Sequence, residues 1–168
     1  PAANPLKTTT GKAQIYSPEI AELAKTWTLD ESEKNAITPL PLYVPGPDSA
    51  DDVTEEYPFQ ILDFHHKCTT HSTYAHNPVV QKMAPFQAWI NPLDAERAGI
   101  ADLDQVRITT AQGSMITQAK VTNRVMPGVI MHAQGAWHNA PAEGDRTDRG
   151  GCTNTLTSRQ RNPISKGT

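Results

Sequence analysis

Apolar residues change their period several times along this chain, and each change marks an element. Ile20, Leu23, Ala24 and Trp27 recur at spacings of three and four, the pattern of one apolar helix face. Ser17-Pro18-Glu19 ahead of them supplies an N-cap, a first-turn proline and an acid at the positive helix end. Before that helix, Gly11-Lys12-Ala13-Gln14-Ile15-Tyr16 is expected to form a short strand. Phe59-Gln60-Ile61-Leu62-Asp63-Phe64 predicts a second strand, short and largely buried, followed by a polar His/Thr loop as far as Asn77. Pro78 to Ala84 reads as a helical turn and Ala88-Trp89-Ile90 as another strand. Asn91-Pro92-Leu93-Asp94 opens a helix with an N-cap, a first-position proline and a third-position acid, and Gly99 closes it.

The period then becomes two. After a turn at Asp102-Leu103-Asp104, Val106, Ile108 and Thr110 alternate with Arg107 and Thr109. Beyond the turn Ala111-Gln112-Gly113-Ser114, Met115, Thr117, Ala119 and Val121 alternate with Ile116, Gln118, Lys120 and Thr122. These two strands make a hairpin in which Gly113 is expected to supply a positive φ. Met126-Pro127-Gly128 leads into a last strand, Val129 to Ala133, and residues 138–168 are expected to be mostly loop, ending in the basic cluster Arg159, Arg161 and Lys166. Short strands at regular spacing point to a barrel or sandwich. A helix set between strands favours a small barrel with that helix over an open end, a mainly β fold with one or two short helices and long loops.

Prolines at 39, 41, 45, 47 and 58, with Asp48, Asp51 and Asp52, make residues 38–58 an extended linker. It separates residues 1–37, an entry strand and helix, from a main domain over 59–168. Hydrophobic residues are 37% and charged residues 20% of the 168, so the low apolar content is not that of a highly charged disordered chain. Fourteen prolines and many Thr, Asn and Gln fill the gap. Two accounts fit: a loop-rich domain, or one whose polar faces meet a larger parent. A start at Pro1 rather than Met is expected of a piece cut from a longer chain. Net charge −3 weighs against nonspecific nucleic-acid binding. No run approaches the roughly 20 apolar residues of a membrane span, and no signal peptide opens the chain. Cys68 and Cys152 could form one bridge at most and are expected to be free, partly buried thiols.

Candidate chemistry concentrates in His65-His66-Lys67-Cys68-Thr69-Thr70-His71-Ser72-Thr73-Tyr74-Ala75-His76. Four histidines and a cysteine suggest zinc, yet there is no CxxC and the histidines fall where strand meets loop, so they need not converge. A plain polar loop and a recognition loop both remain open. Hydroxyls, amides and imidazoles offer donors and acceptors that suit a heterocycle or phosphate better than a bare cation. A second candidate joins Trp137-His138 to Asp148-Arg149-Gly150-Gly151-Cys152-Thr153-Asn154. Its glycine pair would let backbone approach a flat ligand, and Asn154 could bond a ring edge. Cys68 beside histidines is a weak nucleophile candidate, and no serine elbow, P-loop or GxGxxG motif is present.

The order of several segments carries a resemblance. They are Gly11-Lys12-Ala13-Gln14-Ile15-Tyr16-Ser17, Thr70-His71-Ser72-Thr73-Tyr74, Trp89-Ile90-Asn91-Pro92-Leu93-Asp94-Ala95 and Ala98-Gly99-Ile100. Asp104-Gln105-Val106-Arg107, Ala119-Lys120-Val121-Thr122, Met126-Pro127-Gly128-Val129 and Gly135-Ala136-Trp137 follow. Gly150-Gly151-Cys152-Thr153-Asn154-Thr155-Leu156-Thr157 and Ser165-Lys166-Gly167 complete the set. Together they resemble the C-terminal domain of dimethyl sulfoxide reductase catalytic subunits, within the bis(molybdopterin guanine dinucleotide) oxidoreductases. The resemblance implies a double-psi β-barrel that closes over bis(molybdopterin guanine dinucleotide) held mainly by other domains of the same subunit. It matches His65, His71, Ser72, Thr73 and Asn154 to cofactor-contacting positions.

Two departures stand out: Thr70 lies where relatives often carry Arg, and the barrel is expected to be truncated at Thr168, where relatives continue. The molybdenum ligand belongs to a domain outside this chain, so the fragment by itself is expected to bind no cofactor and catalyse nothing. For the parent, the resemblance implies anaerobic reduction of an S- or N-oxide, an iron–sulfur electron-transfer subunit and a membrane-anchor subunit as partners. It further implies export to the outer side of a membrane. A barrel used as a protein-interaction module, or the same domain from a selenate or other oxyanion reductase, are the alternatives.

Overall fold

The computed structural model describes residues 4–43, 49–139 and 144–158. The chain divides into two compact units, Pro1–Gly46 with Arg159–Thr168, and Pro47–Ser158. The boundary falls inside the proline-rich stretch. The basic cluster Arg159, Arg161 and Lys166, the Ser165-Lys166-Gly167 segment, and prolines 45 and 47 lie outside the described residues.

In the first unit, α1 (Pro18–Thr26) starts as expected, with Ser17 accepting from the Ile20 amide at 3.3 Å. None of its residues is buried, and Leu23 on its apolar side is 36% exposed. The strand expected over 11–16 is absent. Gly11, at φ 66°, turns the chain back instead, and the Thr8 hydroxyl donates to the Lys12 carbonyl at 2.7 Å. A second helix, α2 (Glu31–Ala36), was not anticipated. Asp30 accepts from the Glu33 amide at 2.8 Å while Glu33 accepts from the Asp30 amide at 3.2 Å. That reciprocal pair is a capping box.

The second unit is built on one mixed sheet. Its strands are β1 (Gln60–Phe64), β2 (Gln87–Ile90), β3 (Gln105–Thr109), β4 (Ser114–Val121), β5 (Val129–Ala133) and β6 (Thr147–Asp148). They order as β1-β5-β2-β4-β3, with β6 added beside the start of β4. β1 runs parallel to β5, and β2 runs antiparallel to β5 but parallel to β4. The carboxyl ends of β1 and β5, the first residues of β4, and β6 therefore share one end of the sheet. The strand predicted as largely buried, β1, is an end strand with Leu62 47% exposed, because only β5 pairs with it among the described residues.

Ile61 of β1 and Val106 and Ile108 of β3 line one apolar slot of about 190 Å³ with Ala88, Ile90, Ala119 and Ile130. Side chains from the two end strands thus face a common interior, and the sheet curls into a half-barrel. Helix α4 (Pro92–Ala98) begins on an Asn-Pro cap, as predicted, and the expected helical turn after Asn77 is helix α3 (Pro78–Met83), which the Asn77 side chain caps in the same way. Asn91 accepts from Leu93 and donates to the buried Val125 carbonyl at 2.7 Å, and Gly99 closes α4 at φ 65°. Ala98 and Ile100 place the end of α4 against the slot.

Gly113 does not adopt a positive φ, contrary to expectation. Its hydrogen side chain matters for another reason: a Cβ would stand 2.9 Å from the Thr155 carbonyl oxygen and 3.2 Å from that of Arg146. The described part of the 138–168 segment is mostly loop, as expected, with two short exceptions. It contains β6 and a 3₁₀ turn at Thr153–Thr155, both drawn in by pairing to β4 and by side-chain anchors described below.

Candidate functional site

Because β1 and β5 are parallel and in register from Gln60↔Val129 to Phe64↔Ala133, the loops that follow them leave the sheet side by side. The Gln134 amide continues the ladder to the Phe64 carbonyl at 3.0 Å. Loops beyond the carboxyl ends of parallel strands are where ligands commonly bind in open sheets. Here they enclose a cleft of about 520 Å³ lined by His71, Ser72, Gln134–His138 and Cys152–Asn154.

Close backbone contact builds this cleft. Gly135, at φ 106°, lies against the 65–77 loop so tightly that a Cβ would overlap the His71 carbonyl. Gly150 is equally constrained, since a Cβ there would overlap the Trp137 carbonyl. The 65–77 loop is a run of turns in which His71 and Tyr74 take positive φ values of 49° and 61°. Non-glycine residues in that region carry strain that the surroundings must hold. The holding contacts are visible: Trp137 Nε1 donates to the Ser72 carbonyl at 3.0 Å, and the Gln134 amide donates to His71 Nδ1 at 2.9 Å. The second bond, in which the amide NH₂ can only donate, leaves the His71 ring proton on Nε2.

Of the five residues singled out from sequence, the cleft brings together His71, Ser72 and Asn154. His65 is not among the lining residues but packs edge-on against His71, ring centroids 5.4 Å apart. Thr73 does not line the cleft; its amide closes a turn onto the Thr70 carbonyl. The other two histidines of that loop go elsewhere. His66 sits between Phe64 and Phe86 with Nε2 3.2 Å from the Pro85 carbonyl, and His76 lies against Trp137. Among the described residues no group of three or more His, Cys, Asp or Glu is placed to hold a metal ion.

Sequence reasoning passed over Gln134, His132 and the reach of Asp148. Asp148 is fully buried at the end of β6. Its carboxylate accepts from the amides of Asn139 (2.5 Å), Gly150 (3.1 Å) and Cys152 (2.6 Å), and lies 3.0 Å from His138 Nδ1. His132, also fully buried, bonds the Ala133 carbonyl through Nδ1 and Thr117 Oγ1 through Nε2. Burial pushes its imidazole down to about 4, so the ring is neutral. Burial raises the Asp63 carboxyl, opposed by the Thr153 hydroxyl at 3.0 Å and the nearby His65. The Cys152 thiol is likewise raised by burial, which keeps it protonated rather than nucleophilic at neutral pH. Both cysteines are free; Cys68 is exposed rather than partly buried.

The cleft lining holds no Asp, Glu, Lys or Arg. Its polar side chains are imidazoles, the hydroxyls of Ser72 and Thr153 (the latter donated to Asp63), and side-chain amides. Ser72 Oγ and the Asn154 amide have no protein partner among the described residues. A flat heterocycle with an edge of donors and acceptors, bearing an anionic tail, meets complementary groups there and no opposing carboxylate. The donor set fits a pterin dinucleotide.

Residues 59–168 match the molydopterin dinucleotide binding domain, and the chain belongs to that family. Among its relatives, a probable dimethyl sulfoxide reductase chain, YnfF, of Escherichia coli K12 is 48% identical over 99% of this chain and 21% of its own length. The dimethyl sulfoxide reductase DmsA of the same organism is 45% identical over 99% of this chain and 20% of its own. The chain thus spans about a fifth of the length of these curated relatives. Among solved structures, acetylene hydratase from Pelobacter acetylenicus shares the fold, with a TM-score of 0.70 at 19% identity, covering 95% of this chain and 22% of that one.

Proposed function

We propose that this chain is the part of a larger oxidoreductase catalytic subunit that closes over bis(molybdopterin guanine dinucleotide), and that its curled sheet is a double-psi β-barrel. The observation that carries the reading is the carboxylate-free cleft where the loops after parallel β1 and β5 meet the Gly150–Asn154 turn. His71, Ser72 and Asn154 hold the cofactor, with His65 buttressing His71, while the Thr73 amide closes the turn onto Thr70 that shapes the same loop. When bound, the group supplies redox chemistry at its metal, while these residues bind, orient and exclude water. This chain by itself provides no catalytic side chain in the proposal.

Kinship with dimethyl sulfoxide reductase chains and with a trimethylamine-N-oxide reductase of Haemophilus influenzae supports an S- or N-oxide as the parent's substrate. On the same ground, the proposal includes an iron–sulfur subunit as electron donor and an anchor subunit holding the exported complex at a membrane. Among the described residues no helix is long and apolar enough to cross a membrane.

The test is His71→Ala combined with Asn154→Ala in the full-length subunit, with molybdenum and oxidised-pterin content measured per mole of protein. Each lost hydrogen bond to a charged ligand is worth roughly 1.5–3 kcal/mol, so the double variant is expected to purify largely depleted. Loading equal to the parent protein would remove both residues from the site.

A further inference from the structure

Asp148 occupies a position that its neighbours make consequential. A carboxylate with no solvent exposure is costly unless every lone pair is used, and here the two oxygens divide their work between two chain segments. Oδ1 takes the Asn139 amide and faces His138 Nδ1; Oδ2 takes the amides of Gly150 and Cys152. The Arg149 amide donating to the Asn139 carbonyl at 2.8 Å adds a parallel tie. Arg149's own guanidinium pairs with Asp145 at 3.8 Å, so the side chain that faces Asp148 among the described ion pairs is His138, through Nδ1.

Each tied segment carries cleft-lining residues: Trp137 and His138 on one side, Cys152, Thr153 and Asn154 on the other. Trp137 then passes the restraint to the 65–77 loop through its bond to the Ser72 carbonyl. Gly150 permits the contact, because any side chain there would collide with the Trp137 backbone.

We infer that Asp148, paired with His138, is a positioning residue that holds the cleft walls assembled for the pterin dinucleotide, touching none of the ligand itself. The inference rests on the cleft assignment above. Asp148→Asn preserves shape but not bonding. Whichever way the amide turns, its NH₂ group replaces an oxygen, facing either the Gly150 and Cys152 amides or Asn139 and His138. One segment is released, and the binding-competent fraction falls with it. Apparent affinity falls in the same proportion.

The experiment uses the full-length subunit carrying Asp148→Asn, His138→Ala or the His71→Ala/Asn154→Ala pair. Molybdenum and pterin content, the rate of pterin loss on dilution, amide hydrogen exchange and the molybdenum paramagnetic resonance spectrum are compared with the parent. Asp148→Asn is expected to release pterin roughly tenfold faster, as one unsatisfied buried group shifts a local equilibrium. Exchange should quicken at Asn139, Gly150 and Cys152 but not in β4 or β5, and the resonance spectrum should become heterogeneous. His138→Ala, which keeps the three amide bonds, is expected to show a smaller increase in the same direction.

Parent-like pterin retention in Asp148→Asn, with those three amides unchanged, overturns the inference. If Asp148→Asn does not accumulate as folded protein, parent-like retention in His138→Ala overturns it instead. The two readings fail separately. Full loading of the His71→Ala/Asn154→Ala pair overturns the cleft assignment, whereas depletion of that pair beside a fully loaded Asp148→Asn overturns the positioning role alone.

Discussion

At the scale of single residues, the second unit places ionisable groups where small cores usually hold aliphatic ones. Met115, His132 and Asp148 are its largest fully buried side chains. His132 Nε2 in β5 lies 3.2 Å from the Thr117 hydroxyl of β4, whose single proton is shared between that nitrogen and the Phe86 carbonyl at 3.0 Å. The folded chain holds this imidazole near 4 against an ordinary 6.5, so unfolded molecules take up a proton that folded ones refuse. Stability from this group is complete above about pH 6.5 and is lost as pH falls toward 4, on the order of 3 kcal/mol over that window. Replacing His132 with Gln is expected to flatten the slope of unfolding free energy between pH 6.5 and 4, measured by urea titration. An unaltered slope would place the acid sensitivity elsewhere. The candidate site was legible from sequence at this scale only where side chains advertised chemistry. The His65–His76 loop and Asn154 did so, and the resemblance picked out His71 and Ser72 within that loop, whereas Gln134 looked like any surface amide. Asp148 belonged to a noticed cluster, but its role depends on burial and on amides at 139, 150 and 152, which spacing does not reveal.

Elements followed the sequence closely where local chemistry decides. Asn91 caps α4, and the same side chain donates to the Val125 carbonyl, so it fixes both the helix start and the chain entering β5. Asn91→Ala is expected to cost about 1–2 kcal/mol for the cap and more for the stranded carbonyl. A fall of several degrees in thermal midpoint would show this, and a fall under one degree would contradict it. The alternating residues of β3 and β4 and the Asn-Pro start of α4 were equally plain, because period and capping are encoded within a few residues. Elements that depend on distant partners were not. Gly11–Tyr16 has strand-like residues but no strand pairs with it among the described residues, and β6 forms because β4 offers a free stretch beside Ser114 and Met115. The α2 capping box was written in Asp30 and Glu33, and its signal was available but short. Gly113 shows the reverse error: glycine was needed for the approach of Thr155, not for its backbone angle.

For the whole molecule, the half-barrel matters less as a container than as a frame. Parallel pairing of β1 and β5 delivers two loops to one end, and the β3–β4 turn and β6 deliver the Gly150–Asn154 segment to the same end. The apolar slot lies instead between the end strands, lined by Ile61, Val106 and Ile108, and has the chemistry of an interior rather than of a dinucleotide site. That separation makes the account's central claim directly measurable. In a cryo-electron microscopy map of the full-length, cofactor-loaded subunit, the dinucleotide is predicted to lie within hydrogen-bond distance of His71 Nε2, Ser72 Oγ and the Asn154 amide. A dinucleotide seated in the apolar slot, or more than a water's width from all three groups, would contradict it.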